Sequence, residues 1–316
     1  MADRTGACAD VVIVNWNAGV LLGQAVASIA EHPGGVARII VVDNGSVDGS
    51  ADLAPLPLLD VVHVGRNLGF SAGCNFGAAR GDAPYILFFN PDARFTEDAL
   101  EQAIAYLEDP AHRRVGICGI RLVGDDGEIQ RHCNNLPTLR GFVGDITGLS
   151  RIAPGVFPPL FMTNFDHESD RAVDVVMGAY FLIRRSLFQT LGGFDDRFFV
   201  YLDEVDLSKR AIDAGHEVRY LAGPSAYHLG RGTSDQVKAH RLFYQMRSRI
   251  HYAFKHLGTG RAAALTATLL TAGPIARLAH AAGRRSWTDA RHTLNGYAML
   301  LRNLPSIARD VRARRR

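Results

Sequence analysis

The sequence has only four cysteines in 316 residues, Cys8, Cys74, Cys118 and Cys133, and they are scattered with no CxxC pair. That spacing argues against a zinc knuckle or a disulfide framework and suits a reducing cytosol. No GxxxxGK followed by Ser or Thr is present, so a P-loop is excluded. The first strand is not followed by GxGxxG, because "NWNAGVLLG" lacks the first glycine pair, which disfavours a dinucleotide-binding oxidoreductase. The best membrane-span candidate, Ala262 to Ala276, is interrupted by Gly273-Pro274 and falls short of the roughly 20 residues a crossing needs. The opening "MADRTGACAD" has no apolar signal core, so secretion is not expected. Internal repeats and low-complexity linkers are also lacking.

What is present is an ordinary soluble composition, 47% hydrophobic and 21% charged, in a chain long enough to bury a large core. The net charge of +3 hides an asymmetry. Residues 231–316 carry 17 Lys+Arg against 3 Asp+Glu, a net +14, while the first 230 residues carry 18 against 29, a net −11. An acidic body with a basic tail points to an anionic partner for the tail.

The first half alternates strand and helix. "DVVIVNW" (10–16), "RIIVVDN" (38–44), "DVVHVG" (60–65) and "YILFFN" (85–90) read as strands. "FSAGCNFGAARG" (70–81) reads as a helix rich in small residues, and "TEDALEQAIAYLED" (96–109) as an amphipathic helix with Thr96 as N-cap. Short apolar strands between helices indicate a mainly parallel sheet covered on both faces. Such sheets bind ligands beyond the carboxyl ends of their strands. Asn15, Asp43 and Asp92 all fall at or near such ends. In "ILFFNPDARF" the Asn90-Pro91-Asp92 stretch is ordinary turn chemistry, yet the convergence favours a working carboxylate at Asp92. Residues 110–172 read as irregular, with "VGDDGE" as a hairpin turn. "VDVVMGAYFLIRR" (173–185) is a strand interrupted at Gly178, Asp203 to Ala214 is a helix closed by Gly215, and "HEVRYL" is a short strand. Beyond about residue 235 the pattern is helical, with Arg and Ala dominant.

Five segments in order, "VVIVNWN", "IIVVDNGSVDGS", "GRNLGFSAGCNFGAARG", "YILFFNPDARF" and "GGFDDRFFVYLDEVDLSKR", resemble the inverting family 2 glycosyltransferases of GT-A fold, most closely the rhamnosyltransferase-like branch. The resemblance covers about residues 10 to 232. It implies a catalytic domain over 1–232, with a nucleotide-binding half at about 10–125 and an acceptor half at about 126–232, followed by a basic helical region over 233–316. It also implies transfer of a sugar, L-rhamnose from dTDP-rhamnose or another sugar from a UDP-sugar donor, to a hydroxyl of a cell-envelope glycan, lipid-linked or free. A non-catalytic nucleotide-sugar binding or scaffolding protein of the same fold is the alternative.

The departing diphosphate gains negative charge, which a divalent cation held by carboxylate neutralises. The resemblance therefore implies Mg2+ or Mn2+, with Asp92 at the metal-binding position and Asn90 in place of the first Asp of the family's Asp-x-Asp pair. His228, 24 residues beyond Glu204, matches a second metal-binding position, and imidazole suits Mn2+. An acceptor hydroxyl needs a base. Glu204 matches that role; Asp203 is its rival, and Asp206 is free to pair with Arg210 at i+4. Asp43 matches the position that meets the pyrimidine ring, or else is an Asx-turn residue. Asn15 and Asn17 are expected near the nucleoside, Arg66 and Asn67 along the nucleotide and sugar pocket, and Gly178 on the acceptor side, where a missing side chain leaves room for sugar. Gly69, Gly73 and Gly77 are explained by close packing alone.

The basic tail with its apolar stretches is expected to meet an anionic membrane surface, placing the protein in the cytoplasm at the inner face of the membrane. A helical subdomain packed on the body, or a homo-oligomer contact, is the alternative. Nucleic acid is not an expected partner, since the tail lacks interleaved aromatics.

Overall fold

The computed structural model describes residues 8–230 and 238–313. The boundary expected at 232/233, the start of the opening decapeptide and the last arginines of the tail lie outside the described residues.

The chain divides into two compact units. The first comprises Met1–Asn134, Phe161–Asp196 and Asp203–Thr233; the second comprises Asn135–Leu160, Arg197–Leu202 and Ser234–Arg316. The division is thus discontinuous, where the sequence suggested one break: two short segments of the expected acceptor half group with the C-terminal helices.

The first unit is built on a nine-stranded mixed sheet. Strands β1 (Ala9–Asn15), β2 (Val36–Asp43), β3 (Leu59–His63) and β4 (Tyr85–Phe89) run parallel, in the spatial order β3-β2-β1-β4. Their near-continuous Val/Ile/Leu/Phe content fits burial on both faces. Helices α1 (Val20–Glu31), α2 (Phe70–Ala78) and α3 (Ala99–Glu108) are the crossovers. Gly73 and Gly77 of α2 sit where an added Cβ would come within 2.9 Å of Val14 and 2.5 Å of Val12, so close packing on β1 is their reason. At the amino end of the sheet Asp10 is buried and accepts from Arg185 Nη2 at 2.6 Å, and the guanidinium also bonds the Ala78 and Ala83 carbonyls.

The sheet then continues through β8 (Tyr180–Arg184), antiparallel to β4, and through β6 (Val115–Val123) and β9 (Glu217–His228), which pair in parallel. β7 (Arg171–Val173) and β5 (Ala93–Phe95) both pair antiparallel with β9. β6 lies in the stretch read as irregular. Gly116 and Gly119 interrupt its apolar pattern, and they are there because an added Cβ would meet Leu187 at 2.3 Å and Val176 at 2.6 Å. β9 is far longer than "HEVRYL". The ladder jumps from Leu221 to Ser225, bulging out Pro224, which has no N–H to donate.

Thr96 is not an N-cap. Residues 93–95 are pulled into β5, the Thr96 hydroxyl donates to Ser225 O at 2.6 Å, and α3 begins three residues later behind Asp98 in left-handed backbone. The second unit contains α4 (Leu139–Thr147), α7 (Lys238–His256), α8 (Thr259–Leu270), α9 (Ala272–Gly283) and α10 (Trp287–Ala313). In the first unit α5 (Arg185–Thr190) and α6 (Asp203–Asp213) complete the set. The Gly273-Pro274 pair does not end the apolar stretch: Pro274 falls in the first turn of α9, where its missing N–H costs nothing. Thr259–Gly283 is consequently long and apolar enough to cross a membrane by length and composition, with 22% of that window buried.

Candidate active site

Every residue nominated from the sequence belongs to the first unit. Asn15, Asp43 and His63 are register partners at the carboxyl ends of β1, β2 and β3. Asn15 is fully buried, and its amide donates inward to Ser50 Oγ at 2.8 Å, Ser46 Oγ at 3.0 Å and Asp43 Oδ1 at 3.4 Å. Its side chain thus holds the loop after β2. Asn17, in left-handed backbone, braces the same loop: its Oδ1 accepts from Val47 N at 2.8 Å and its N donates to Ser46 Oγ at 3.0 Å.

Asp43 accepts from Ser46 N at 3.2 Å and lies 3.0 Å from His63 Nδ1. Burial alone would raise its carboxyl, but the bonds from Ser46 and His63 outweigh that and hold it below its ordinary value. It is an ionised acceptor and an Asx-turn residue at once. Asn44, which the sequence reading passed over, is buried and staples the next loop: it donates to Asn67 Oδ1 and Gly69 O, both at 3.1 Å, and accepts from Leu68 N at 2.8 Å. Gly45 adopts positive φ where a Cβ would lie 2.9 Å from the Arg66 backbone, so only glycine lets the two loops cross. Arg66 and Asn67 are exposed there.

The Asn90-Pro91-Asp92-Ala93 turn is closed by Ala93 N donating to Asn90 O at 3.2 Å, with proline at its second position. Asn90 N donates to Ala179 O, also at 3.2 Å. This brings the turn beside Gly178, whose missing Cβ faces open space.

β5 does what the sequence did not reveal. It pairs Ala93 with His228, 135 residues away, and Leu229 N donates to Asp92 O at 3.1 Å. His228 Nε2 consequently lies 3.5 Å from Asp92 Oδ1, with both side chains nearly buried. Gln130, from the supposedly irregular stretch, donates through Nε2 to His228 O at 2.6 Å, which turns its Oε1 toward His228 Nδ1 at 2.8 Å. A carbonyl oxygen only accepts, so Nδ1 carries a proton, and in the neutral ring Nε2 is then the nitrogen with the lone pair. The imidazole nitrogen and a carboxylate oxygen face each other, an arrangement that a divalent cation can bridge when the ring is neutral. Asp92 and His228 fit an Mg2+ or Mn2+ ion that takes its remaining ligands from phosphate and water. Among the described residues no group of three or more His, Cys, Asp or Glu side chains gathers around one point.

α6 opens with Asp203 and Glu204. Asp203 is buried, and its Oδ2 has no hydrogen-bond partner among the described residues. Burial, then the neighbouring Glu204 charge, push the Asp203 carboxyl well above its ordinary value. Burial also raises Glu204, while a hydrogen bond from Asp203 pulls it back. Both effects favour the proton on Asp203 and the charge on Glu204, whose side chain remains partly open. Asp206 is fully buried and pairs with Arg210 at 2.8 Å; Arg210 also donates to the Leu191 and Gly193 carbonyls at 2.8 Å. Asp206 is thus a structural residue. From α2, Asn75 fixes the same "GGFDD" loop, exchanging bonds of 2.9 Å with the Phe194 backbone in both directions.

A model of glycosyl transferase family 2 matches residues 10–192. N-acetylglucosaminyl-diphospho-decaprenol L-rhamnosyltransferase of Mycobacterium tuberculosis strain H37Rv is 29% identical over 276 residues, covering 80% of this chain and 86% of that protein. Rhamnosyltransferase WbbL of Escherichia coli K12 is 27% identical over 177 residues, covering 54% of this chain and 62% of its own. Among solved structures, the mannosyltransferase PcManGT from Pyrobaculum calidifontis, in complex with GDP-Man and Mn2+, aligns over 95% of this chain and 88% of its own with a TM-score of 0.54 and 17% identity.

Proposed function

The chain belongs to glycosyl transferase family 2, and from that premise we propose that it moves L-rhamnose from dTDP-rhamnose, with inversion, to a hydroxyl of a lipid-linked cell-envelope glycan. It is a rhamnosyltransferase-like glycosyltransferase of GT-A fold. The donor and the lipid-linked acceptor are carried over from the relatives' names. The observation that carries the reaction is the facing pair of the Asp92 carboxylate and the His228 imidazole at the sheet's carboxyl edge.

Asp92 and His228 would hold a divalent cation, which would supply charge neutralisation to the departing diphosphate. Asp43 accepts a hydrogen bond from the base ring, and Asn15, Asn17 and Asn44 keep the surrounding loops in place. Arg66 and Asn67 line the nucleotide and sugar path, and Gly178 leaves space for the acceptor. Glu204 takes the acceptor proton at its carboxylate; Asp203, kept neutral by burial, donates a hydrogen bond that holds Glu204 ionised. The basic C-terminal region meets an anionic membrane at its cytoplasmic face.

Glu204→Gln tests the reading. Turnover is expected to fall by about 10²–10⁴-fold while dTDP affinity, read by calorimetry, stays unchanged. Retained turnover removes Glu204 as the base. A wild-type chain that no nucleotide sugar stabilises thermally, with or without Mn2+, returns the protein to a non-catalytic role.

A further inference from the structure

The helical unit holds a cavity of about 490 Å3 that the reaction above does not use. Its size suits a small ligand. Its walls are the inward faces of helices. α7 lines it with Lys238, Leu242, Gln245 and Arg249, at steps of three or four residues. α10 contributes Asp289, Thr293 and Tyr297 at steps of four, and α9 contributes Arg277 and His280 at a step of three. Such steps keep side chains on one side of a helix. The inward face of a packed helix is ordinarily apolar. Leu242, Met246 and Leu269 follow that rule and form a buried apolar floor. The cations beside them break it.

Their charge is not matched. Arg151, from the turn after α4, joins Lys238, Arg249 and Arg277 as a fourth fixed cation, against the carboxylates of Asp145 and Asp289. Asp145 is already engaged, with its Oδ2 2.5 Å from Arg249 Nη2. Asp289 lies in the first turn of α10, where the helix end already attracts negative charge. The lining therefore keeps surplus positive charge even with His280 and His292 neutral. Desolvation and the Arg249 charge hold the Arg277 guanidinium below its ordinary value, and Tyr297 and Asp145 offset that only in part. An anion between the two arginines would relieve both effects. Arginine's planar fork matches phosphate oxygens in particular, and helical folds build ligand sites from side chains on facing helices.

We propose that this cavity binds the phosphate or diphosphate group of a small organic molecule, with the arginines on the phosphate oxygens and the organic part over the apolar floor. The site is built from the second unit alone and is independent of the transfer chemistry.

The test titrates inorganic pyrophosphate into the full chain in metal-free buffer, read by calorimetry. The wild-type chain is expected to bind it. Arg151→Gln and Arg277→Gln replace exposed side chains, and each is expected to weaken binding about tenfold at an unchanged ligand-free thermal midpoint, through loss of charge-assisted bonds. No binding by the wild-type chain, or an affinity that neither variant changes, overturns the site. Sulfate binding as tightly as pyrophosphate overturns the phosphate assignment. Asp92→Asn is expected to leave pyrophosphate binding unchanged; a loss there means that the probe reads the candidate cation site, and the cavity is discarded. Glucose 1-phosphate and dihexanoyl phosphatidic acid carry the same group from a soluble and a lipid source. The tighter binder names the source, and Arg277→Gln is expected to weaken it as well. If neither binds more tightly than inorganic phosphate, the apolar floor takes no part and the organic-molecule assignment fails.

Discussion

In the sheet unit Asp43, His228 and Glu204 are each held by a polar side chain, whereas in the helical unit the cavity-lining cations outnumber their carboxylates. Asp43 is fixed by Ser46 and Asn15, His228 by Gln130, and Glu204 by Asp203. Such partners set proton positions and ring orientation before a ligand arrives, which suits chemistry. Arg249 and Asp145 of the helical unit are instead a half-open ion pair, and Arg151 and Arg277 line a cavity with surplus positive charge. That arrangement suits attraction of an anion. The sequence shows a similar swing, from net −11 over residues 1–230 to net +14 over residues 231–316.

The contrast is sharpest in stability. Asp206→Asn strips the buried carboxylate from Arg210 and is expected to cost about 3 kcal/mol in chemical denaturation, since breaking a buried pair strands its partner. A loss under about 1 kcal/mol would put this pair in the same class as those of the helical unit. Gln130→Leu frees the His228 ring; Mn2+ affinity, read by calorimetry with dTDP present, is expected to fall about 10–100-fold. Activity should return at high Mn2+. Unaltered affinity would mean that the ring needs no orienting partner.

Asp203→Ala removes the bond that favours ionised Glu204. Glu204 already sits above its ordinary value through burial, so its carboxyl rises further. A base works only when ionised; the acid limb of the kcat profile is therefore expected to move to higher pH. An unmoved limb, or one moved lower, breaks the assignment of proton and charge within the pair. Folding stability carries the opposite sign: Asp203 holds its proton more tightly folded than unfolded, so wild-type stability is lost as pH rises above the ordinary carboxylate range. The alanine variant is expected to lack Asp203's share of that loss and to keep the share that the raised Glu204 carboxyl contributes. The smallest effect is expected from Arg249→Ala, within about 1 kcal/mol, as for other solvent-screened pairs.

Much of the first unit was legible because its signals are local. The apolar runs ending at Asn15, Asp43 and Asn90 place three polar residues at strand tips, and the i+4 spacing of Asp206 and Arg210 forecasts their pairing. The Asp92–His228 meeting was not legible in residue pattern. It depends on β5, three residues long and too short for periodicity, and on β9, whose second half is hidden behind Pro224. Gln130 was missed for a related reason: its segment follows a strand whose pattern Gly116 and Gly119 break, although those glycines serve packing. In the helical unit α4 was missed similarly, since Gly141 and Gly144 of "LRGFVGDIT" answer to Pro158 O at 3.2 Å and Phe157 at 2.7 Å rather than to helix propensity.

Because side chains alternate along a strand, sliding β5 by one position against β9 would turn the Asp92 carboxylate away from the imidazole. With only three ladder positions, the Thr96 hydroxyl on Ser225 O acts as the peg that stops such sliding. Residue 96 thereby becomes a remote tuning point, where swapping Thr for Val would loosen the Asp92–His228 approach without altering any atom of either side chain.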